Sequence, residues 1–423
     1  MQFIAEGVES YYLSATLRAA NRATRLSQTP PKKRKSKMTR PTLRTEFSDR
    51  VGIEYPVILA GMGPVAGTGD PVATGELVAA VSNAGGLGVL GGVAYSPEQL
   101  RNEIRKIKSL TDKPFGVDLL LSPNFLFPKG REAVPSAPSR DKLPKEYIDA
   151  IERISRDLEI DLKEAPGDEE VMGSWIEPGK SWAGSQIEVI IEEGVPVFAS
   201  GLGTPRPFAD ELKANGVTIL SLVGTVRAAQ QVAADGADYV VAQGTEAGGH
   251  TGRIGTLALL PQVMDAAAPT PVIAAGGIAG GRALAGVLAI GAEAAWCGTA
   301  FLVSNEANQP DLQKDRILAA AAEDTIVTRL YSGKTMRNVS NPLIEAWERE
   351  GMPALPMGAQ GVLIRDLTHS IREAGRQELL MNAAGQTAGM LTKRRPAAEI
   401  LEEMVDEAAE ILGTELGKRI TTA

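Results

Sequence analysis

The sequence predicts a (β/α)8 barrel of the TIM type, because eight short apolar segments alternate with helical patterns. Continuous apolar strands between helices are typical of a parallel sheet that is buried on both faces. Hydrophobic residues make up 43% of the chain, aromatic residues only 4%, and there are 45 glycines, a composition that favours close helix-on-strand packing over an all-β sandwich. An open doubly wound sheet is the alternative. The predicted strands cover residues 57–60, 87–90, 115–120, 196–200, 217–221, 238–242, 272–275 and 294–297.

Helical periodicity fills the segments between these strands, for example over residues 226–234 and 282–290. Three glycines lie just before the next strand, as expected of residues that end helices: Gly216, Gly236 and Gly291. The pattern of strand, helix and glycine therefore repeats along most of the chain.

Two segments are longer than a plain barrel requires. Residues 122–184 follow the third strand, are polar and charged, and exceed a usual βα connection, which predicts an insertion that forms a lid over the active site. It includes an amphipathic helical pattern over residues 145–158. Residues 308–423 predict an appended helical segment without a second chemical centre, and its clearest helix covers residues 396–412.

The first 40 residues are basic and lie outside the predicted barrel domain, which covers residues 41–423. An Arg-rich, acid-poor stretch at 11–25 and a Lys/Arg cluster at 32–37 are typical of transit and nuclear-localisation segments. Because short basic motifs often lack such a function, we favour a disordered leader, or a protein that begins at Met38. The expected location is cytoplasmic, and mitochondrial or nuclear targeting stays open.

Composition also excludes several kinds of partner. The formal net charge of −8 disfavours nucleic acid, and the absence of an apolar run of about 18 residues excludes a membrane span. Cys297 is the only cysteine, so no intrachain disulfide can form. We therefore expect a small-molecule substrate and no metal site. The sequence does not determine the oligomeric state, and a homodimer is one option.

Two glycine-rich loops follow the seventh and eighth predicted strands, where barrels of this type bind phosphate. The first covers residues 275–281 and includes Gly276 and Gly277, whose bare backbone allows N–H groups to approach an anion. The second contains Gly298 and Thr299, which offer a further backbone N–H and a hydroxyl donor. Glycines that merely close tight turns are the alternative, but two such loops in consecutive positions favour a phosphate site.

The loop after the sixth strand, residues 243–252, contains one of only two histidines in the chain. His250 follows Gly248 and Gly249 at the end of the strand, where side chains face the barrel mouth. With an ordinary pKa of about 6.5, it could accept a proton near neutral pH. Glu246 is a second acid–base candidate or a solvated loop carboxylate, whereas His369 lies in a helical pattern and is interpreted as structural.

The first strand ends at Gly61 and Met62, which places a methionine at the rim of the barrel. Its side chain is suited to lie beside a flat ring system, although a core methionine would show the same spacing.

Together these segments resemble the nitronate monooxygenase family, formerly called 2-nitropropane dioxygenases, whose members are FMN-dependent barrels. The similarity runs from about Arg44 to the end of the chain, and its most specific part is the glycine-histidine loop. The matching segments are residues 56–62, 82–88, 243–252, 275–278, 298–301 and 384–389. The resemblance implies that His250 is the catalytic base. The expected FMN contacts come partly from the resemblance and partly from the glycine-rich loops. They are Gly61, Met62, Asp118, Gln243, Gly248, Gly249, Gly276, Gly277, Gly298 and Thr299.

Asp118 departs from the pattern of the family, which usually has an asparagine in contact with FMN at this point of the third strand. An ionised aspartate near a flavin would disfavour a negatively charged reduced ring. Asp118 is therefore expected either to bind differently or to be protonated.

The activity that the resemblance implies is oxidation of a nitronate, or of a nitroalkane after His250 removes its α-proton, with O2 to a carbonyl compound and nitrite. Two alternatives are open. One is an NAD(P)H-dependent FMN reductase of the enoyl-thioester or quinone type, whose members also carry a Gly-Gly-His loop. The other is a non-catalytic barrel that binds a phosphate-bearing ligand.

Overall fold

The eight predicted strands form a parallel barrel in the computed structural model, which describes residues 41–64, 71–121, 140–165 and 182–420. Seven of the eight neighbouring pairs form parallel ladders, and hydrogen bonds from Leu59 N to Leu87 O and from Leu87 N to Val57 O close the eighth. The barrel strands are β1 Val57–Leu59, β2 Gly88–Gly91, β3 Phe115–Leu120, β4 Val197–Gly201, β5 Thr218–Val223, β6 Tyr239–Gln243, β8 Val272–Ala275 and β9 Ala295–Cys297. A two-residue strand, β7 Gly249–His250, lies outside the barrel sheet. The TIM-barrel prediction is confirmed, and every strand ends within two residues of its predicted limit.

Helices surround the barrel and end where the sequence predicts. Gly216, Gly236 and Gly291 all have positive φ (73°, 100° and 115°), the left-handed conformation that glycine adopts without strain. The helices are α1 Glu46–Val51, α2 Gly75–Asn83, α3 Pro97–Leu110, α4 Lys145–Asp157, α5 Trp182–Glu192, α6 Ala209–Ala214, α7 Val226–Ala234, α8 Thr256–Ala267, α9 Gly281–Ile290, α10 Asp311–Ala319, α11 Pro342–Glu350, α12 Ala359–Glu373, α13 Ala397–Glu410 and α14 Leu416–Arg419.

The amino-terminal end of the barrel is closed by α1. Thr45 begins this helix by accepting a hydrogen bond from Ser48 N, and Phe47 is fully buried against the edge of the Tyr239 ring, with 5.0 Å between the ring centroids. Inward-facing side chains of the strands complete a separate apolar core behind Phe47. Because this end is filled, the carboxyl ends of the strands form the open mouth of the barrel.

The carboxyl-terminal extension differs from the prediction of an appended helical segment. Besides helices it contains two strands, β10 Thr325–Thr328 and β11 Met336–Val339, which pair antiparallel with each other. The second of them also pairs with β7, so that Met336 lies opposite His250. Neither strand carries a continuous apolar run like those of the predicted barrel strands, and β7, the second partner of β11, lies about 85 positions earlier in the chain.

The predicted helix of the insertion is confirmed as α4, but its position differs from that of a lid. It packs with α11 and α12 in a second apolar core, and the ion pair between Arg140 and Asp366 ties the insertion to α12. No residue of the described stretch 140–165 lines the cavity at the barrel mouth, so this stretch supports the wall of the site without covering it. The rest of the predicted lid, and the whole predicted leader, lie outside the described residues. In the described part of the chain, no helix combines the length and apolar character of a membrane span.

Candidate active site

A cavity of about 580 Å³ opens at the carboxyl ends of the strands. The ten expected FMN contacts and the expected base His250 all line this cavity, and their roles in binding and catalysis stay predictions. They are Gly61, Met62, Asp118, Gln243, Gly248, Gly249, His250, Gly276, Gly277, Gly298 and Thr299.

The loop after β8 has the backbone of an anion site. Gly276 and Gly277 have φ of 88° and 75°, and a Cβ atom added to Gly276 would lie only 2.8 Å from Gly244 O. Side-chain-bearing residues would be strained at both positions. The loop leads into α9, which begins at Gly281 and directs the positive end of its dipole to this side of the barrel. These features suit a phosphate group.

Thr299, in the loop after β9, supplies a hydroxyl beside this cradle. Its Oγ1 accepts a hydrogen bond from Gly385 N at 2.9 Å, which leaves the hydroxyl proton free to be donated. A Cβ atom on the neighbouring Gly298 would lie 3.6 Å from Met62 Sδ, so the loops after β9 and β1 meet in the cavity wall.

The tail segment that begins at Ala384 holds the glycine-histidine loop in place. Gln386 N donates to Glu246 O at 3.0 Å, and a Cβ atom on Gly248 would lie 2.6 Å from the carbonyl carbon of Ala384. Gly385 is equally confined, because its Cβ atom would lie 2.4 Å from Glu246 O. The resemblance includes this segment, but the sequence alone does not indicate that it braces the loop.

His250 lies at the edge of the small sheet. Its Nε2 is 2.9 Å from Ser332 Oγ. Burial, with a smaller contribution from the positive charge of Lys334, lowers the pKa of His250 to about 4. The imidazole is therefore neutral at pH 7 and can accept a proton, but it is a weaker base than the ordinary histidine that the sequence suggests.

The carboxylate of Glu246 is occupied by hydrogen bonds to Thr256. Both carboxylate oxygens accept hydrogen bonds from Thr256 N at 3.0 Å, and one also accepts from Thr256 Oγ1 at 3.0 Å. Thr256 is the first residue of α8, so the carboxylate caps the start of that helix. The geometry favours an anchoring role over acid–base chemistry.

Asp118 contributes an unsatisfied polar atom to the cavity wall. Its Oδ1 is buried and has no hydrogen-bond partner among the described residues. Burial raises the pKa of Asp118 to about 8, which favours the uncharged acid at neutral pH. A buried acceptor without a partner is costly, so a group that enters the cavity is the expected partner.

These residues fit a flavin that carries a terminal phosphate. The cradle of Gly276, Gly277 and Thr299 would hold the phosphate, and the thioether of Met62 and the carboxyl of Asp118 would face the ring system. The fit rests on the positive-φ glycine loop and on the unpartnered carboxyl oxygen of Asp118.

The outer wall of the cavity comes from the extension, which the sequence does not predict. One face of α12 lines the cavity, with residues spaced three, four or seven positions apart. The same spacing is typical of a helix face that packs in an ordinary apolar core. Tyr331 and Ser332 add the turn before β11, and Thr387 adds the tail. The lining residues of α12 are Gly361, Ile364, Arg365, Thr368 and Arg372.

The family profile, a sequence relative and a solved structure all indicate the same family. The profile of the family described as nitronate monooxygenase matches residues 44–407. A Staphylococcus aureus protein named "probable nitronate monooxygenase" is 33% identical over 390 residues, which is 87% of this chain and 98% of that protein. The solved structure of nitroalkane oxidase from Streptomyces ansochromogenes is similar with a TM-score of 0.70 and 28% identity, over 87% of this chain and 99% of that one. A Rhodococcus jostii enzyme, (3aS,4S,5R,7aS)-5-hydroxy-7a-methyl-1-oxo-octahydro-1H-indene-4-carboxyl-CoA dehydrogenase, is 34% identical over 73% of this chain and 69% of its own length.

Proposed function

The chain belongs to the nitronate monooxygenase family, and we propose that this flavin-dependent monooxygenase uses FMN to oxidise alkyl nitronates with O2 to carbonyl compounds and nitrite. The observation that carries the proposal is the cavity lining, which brings a partly buried, neutral histidine together with a glycine loop suited to phosphate. The named relatives that act on nitro compounds support the substrate class.

FMN is proposed because the positive-φ glycine loop after β8, together with the Thr299 hydroxyl, suits one terminal phosphate. A dinucleotide would instead call for a Gly-x-Gly-x-x-Gly turn between a strand and a helix. That spacing occurs at Gly86, Gly88 and Gly91, but these residues lie in and beside β2, and a Cβ atom on Gly88 would lie 2.1 Å from Val78 O. These glycines therefore serve close packing.

Bound FMN would supply the electron-accepting chemistry of the reaction. The protein would bind the substrate in the cavity, and His250 would accept the α-proton of a neutral nitroalkane. With a pKa of about 4, this histidine is a weak base for that step. We therefore propose that preformed nitronates, which need no proton removal, are better substrates than nitroalkanes.

A second candidate is an NAD(P)H-dependent FMN reductase that acts on a thioester. The similarity to the CoA-ester dehydrogenase of Rhodococcus jostii favours this candidate. Both functions would use the same phosphate cradle and glycine-histidine loop, so the cavity does not separate them.

Anaerobic stopped-flow mixing of the purified protein separates the two candidates. Bleaching of the flavin absorbance by a nitronate, without response to NADH or NADPH, supports the proposal. Fast bleaching by either nucleotide, with no response to the nitronate, would replace it with the reductase. A protein without flavin bands after incubation with FMN would contradict both and indicate a non-catalytic phosphate-ligand-binding barrel.

A further inference from the structure

Asp118 occupies a confined position in the cavity wall. It lies on β3, paired with Gly91 of β2 on one side and Ala199 of β4 on the other. Gly61 packs directly over it, because a Cβ atom added to Gly61 would lie 2.2 Å from Asp118 Cβ. The carboxyl group therefore has little freedom to turn away, and its Oδ1 is left without a partner among the described residues.

The described surroundings of Asp118 also offer no compensating charge. The packed segments β2, β4 and residues 60–64 contain no titratable side chain. The titratable groups that line the same cavity are Glu246, His250, Tyr331, Arg365 and Arg372. Burial alone raises the pKa of Asp118 to about 8. A negative charge at this position would be costly, because Oδ1 is buried without a partner and no cationic side chain lies on β2, β4 or residues 60–64.

The position of Asp118 in the barrel relates it to the cofactor. In the order of strands around the barrel, β3 lies opposite β8, which carries the phosphate cradle. A ligand whose phosphate binds at the loops after β8 and β9 must therefore extend across the barrel mouth for its ring system to contact Asp118. An uncharged carboxylic acid can both donate and accept a hydrogen bond, as the polar edge of a flavin ring requires, whereas a carboxylate can only accept.

We propose that Asp118 contacts the bound flavin as an uncharged carboxylic acid, and that loss of this proton weakens flavin binding. The inference rests on the proposed flavin site, and it assigns to this chain a proton-dependent cofactor affinity that an asparagine at the same position would not produce.

The test is a fluorescence titration of the flavin-free protein with FMN between pH 7 and pH 9. If only the protonated form of Asp118 binds, the Kd of the wild-type protein should rise about tenfold over this range, since the pKa lies near its middle. Asp118→Asn keeps the size and the hydrogen-bonding capacity but cannot ionise, so its Kd should stay within about twofold. Asp112→Asn, at an exposed position six residues earlier, is the matched control and should follow the wild type. The second ionisation of the FMN phosphate, near pH 6, lies below this window.

Equal slopes in the wild type and in Asp118→Asn, or tighter binding as the pH rises, would overturn the inference and leave the proposed function intact. A wild type that binds FMN as expected but does not oxidise nitronates would overturn only the proposed function. Failure of both proteins to bind FMN at any pH would overturn both. A readout that does not depend on how well the variant folds is the infrared band of a protonated carboxylic acid in the flavin-loaded wild type at pH 7, and absence of that band would also overturn the inference.

Discussion

At the scale of single residues, the chemistry of His250 comes from its surroundings as much as from its identity. The glycine-rich loop and the barrel topology predict that a histidine faces the mouth, and the cavity lining confirms the position. The pKa of about 4 could not be predicted, because it follows from burial and from Lys334, which lies 84 positions later in the chain. For Asp118, the sequence shows an aspartate where the family usually has an asparagine. Only the structure shows that its Oδ1 has no partner among the described residues.

The lowered pKa of His250 predicts a pH dependence of stability. Between pH 6.5 and pH 4 the unfolded chain binds a proton at this histidine and the folded chain does not, so the free energy of unfolding should fall as the pH falls. In thermal unfolding of the flavin-free protein, His250→Asn should therefore lose less stability than the wild type over this window. His369→Asn controls for the loss of a histidine elsewhere. Identical pH slopes for the wild type and His250→Asn would contradict the assigned pKa.

Thr299 gives a prediction about cofactor retention. Thr299→Val keeps the shape of the side chain but removes the hydroxyl, which deprives the phosphate of a donor and Gly385 N of its acceptor. We expect the variant to purify with much less FMN, by about tenfold or more in Kd, a loss typical of a hydrogen bond to a charged group. Thr299→Ser keeps the hydroxyl and should retain the flavin. Full flavin content in Thr299→Val would mean that the phosphate binds elsewhere.

At the scale of secondary structure, the barrel was predictable because most residues of its strands are apolar and buried, and the strands alternate with helical patterns. The pairing of β7 with β11 was not, because it joins a two-residue strand to a distant four-residue strand, and neither has a local pattern. The lining face of α12 was missed for a related reason: its spacing is that of any amphipathic helix, and only the tertiary structure shows that this face borders a cavity.

Two glycines of α9 give opposite predictions within one helix. A Cβ atom at Gly286 meets nothing within 4 Å, so Gly286→Ala should stabilise the protein by about 0.5–1 kcal/mol through helix propensity. A Cβ atom at Gly281 would lie 2.4 Å from Glu407 Cβ, so Gly281→Ala should separate α9 from α13 and lower the melting temperature. Flavin content should persist in Gly286→Ala. Equal melting temperatures for the two variants would contradict this packing.

At the scale of the whole molecule, the site belongs to two layers with separate apolar cores. The barrel supplies the glycine loop after β8 and Asp118, whereas the extension supplies the outer wall, and the insertion supports that wall through the Arg140–Asp366 ion pair. The sequence locates the first layer, since barrel folds concentrate ligand-binding groups at the strand ends. It does not locate the second, because no rule of the fold assigns a position to an appended segment.

The predicted leader gives a test of the domain limits. Its basic composition lacks the apolar periodicity needed to pack on the barrel, so deletion of residues 1–37 should leave the melting temperature and the flavin content unchanged. A clear fall in either quantity would mean that residues before Met38 belong to the folded domain.

The central claim, that this cavity oxidises nitronates and that His250 is its base, is tested most directly by His250→Asn with a matched pair of substrates, a neutral nitroalkane and its preformed nitronate. Oxygen consumption and nitrite release would be measured for both at pH 7. We predict that turnover of the nitroalkane falls by about 10²-fold, the lower end of the usual contribution of a positioned base because the pKa of His250 is only about 4, while turnover of the nitronate falls far less and FMN stays bound. Equal losses on both substrates, with FMN still bound, would contradict the assignment of His250 as the base, and no oxygen consumption with either substrate in the wild-type protein would contradict the proposed activity itself.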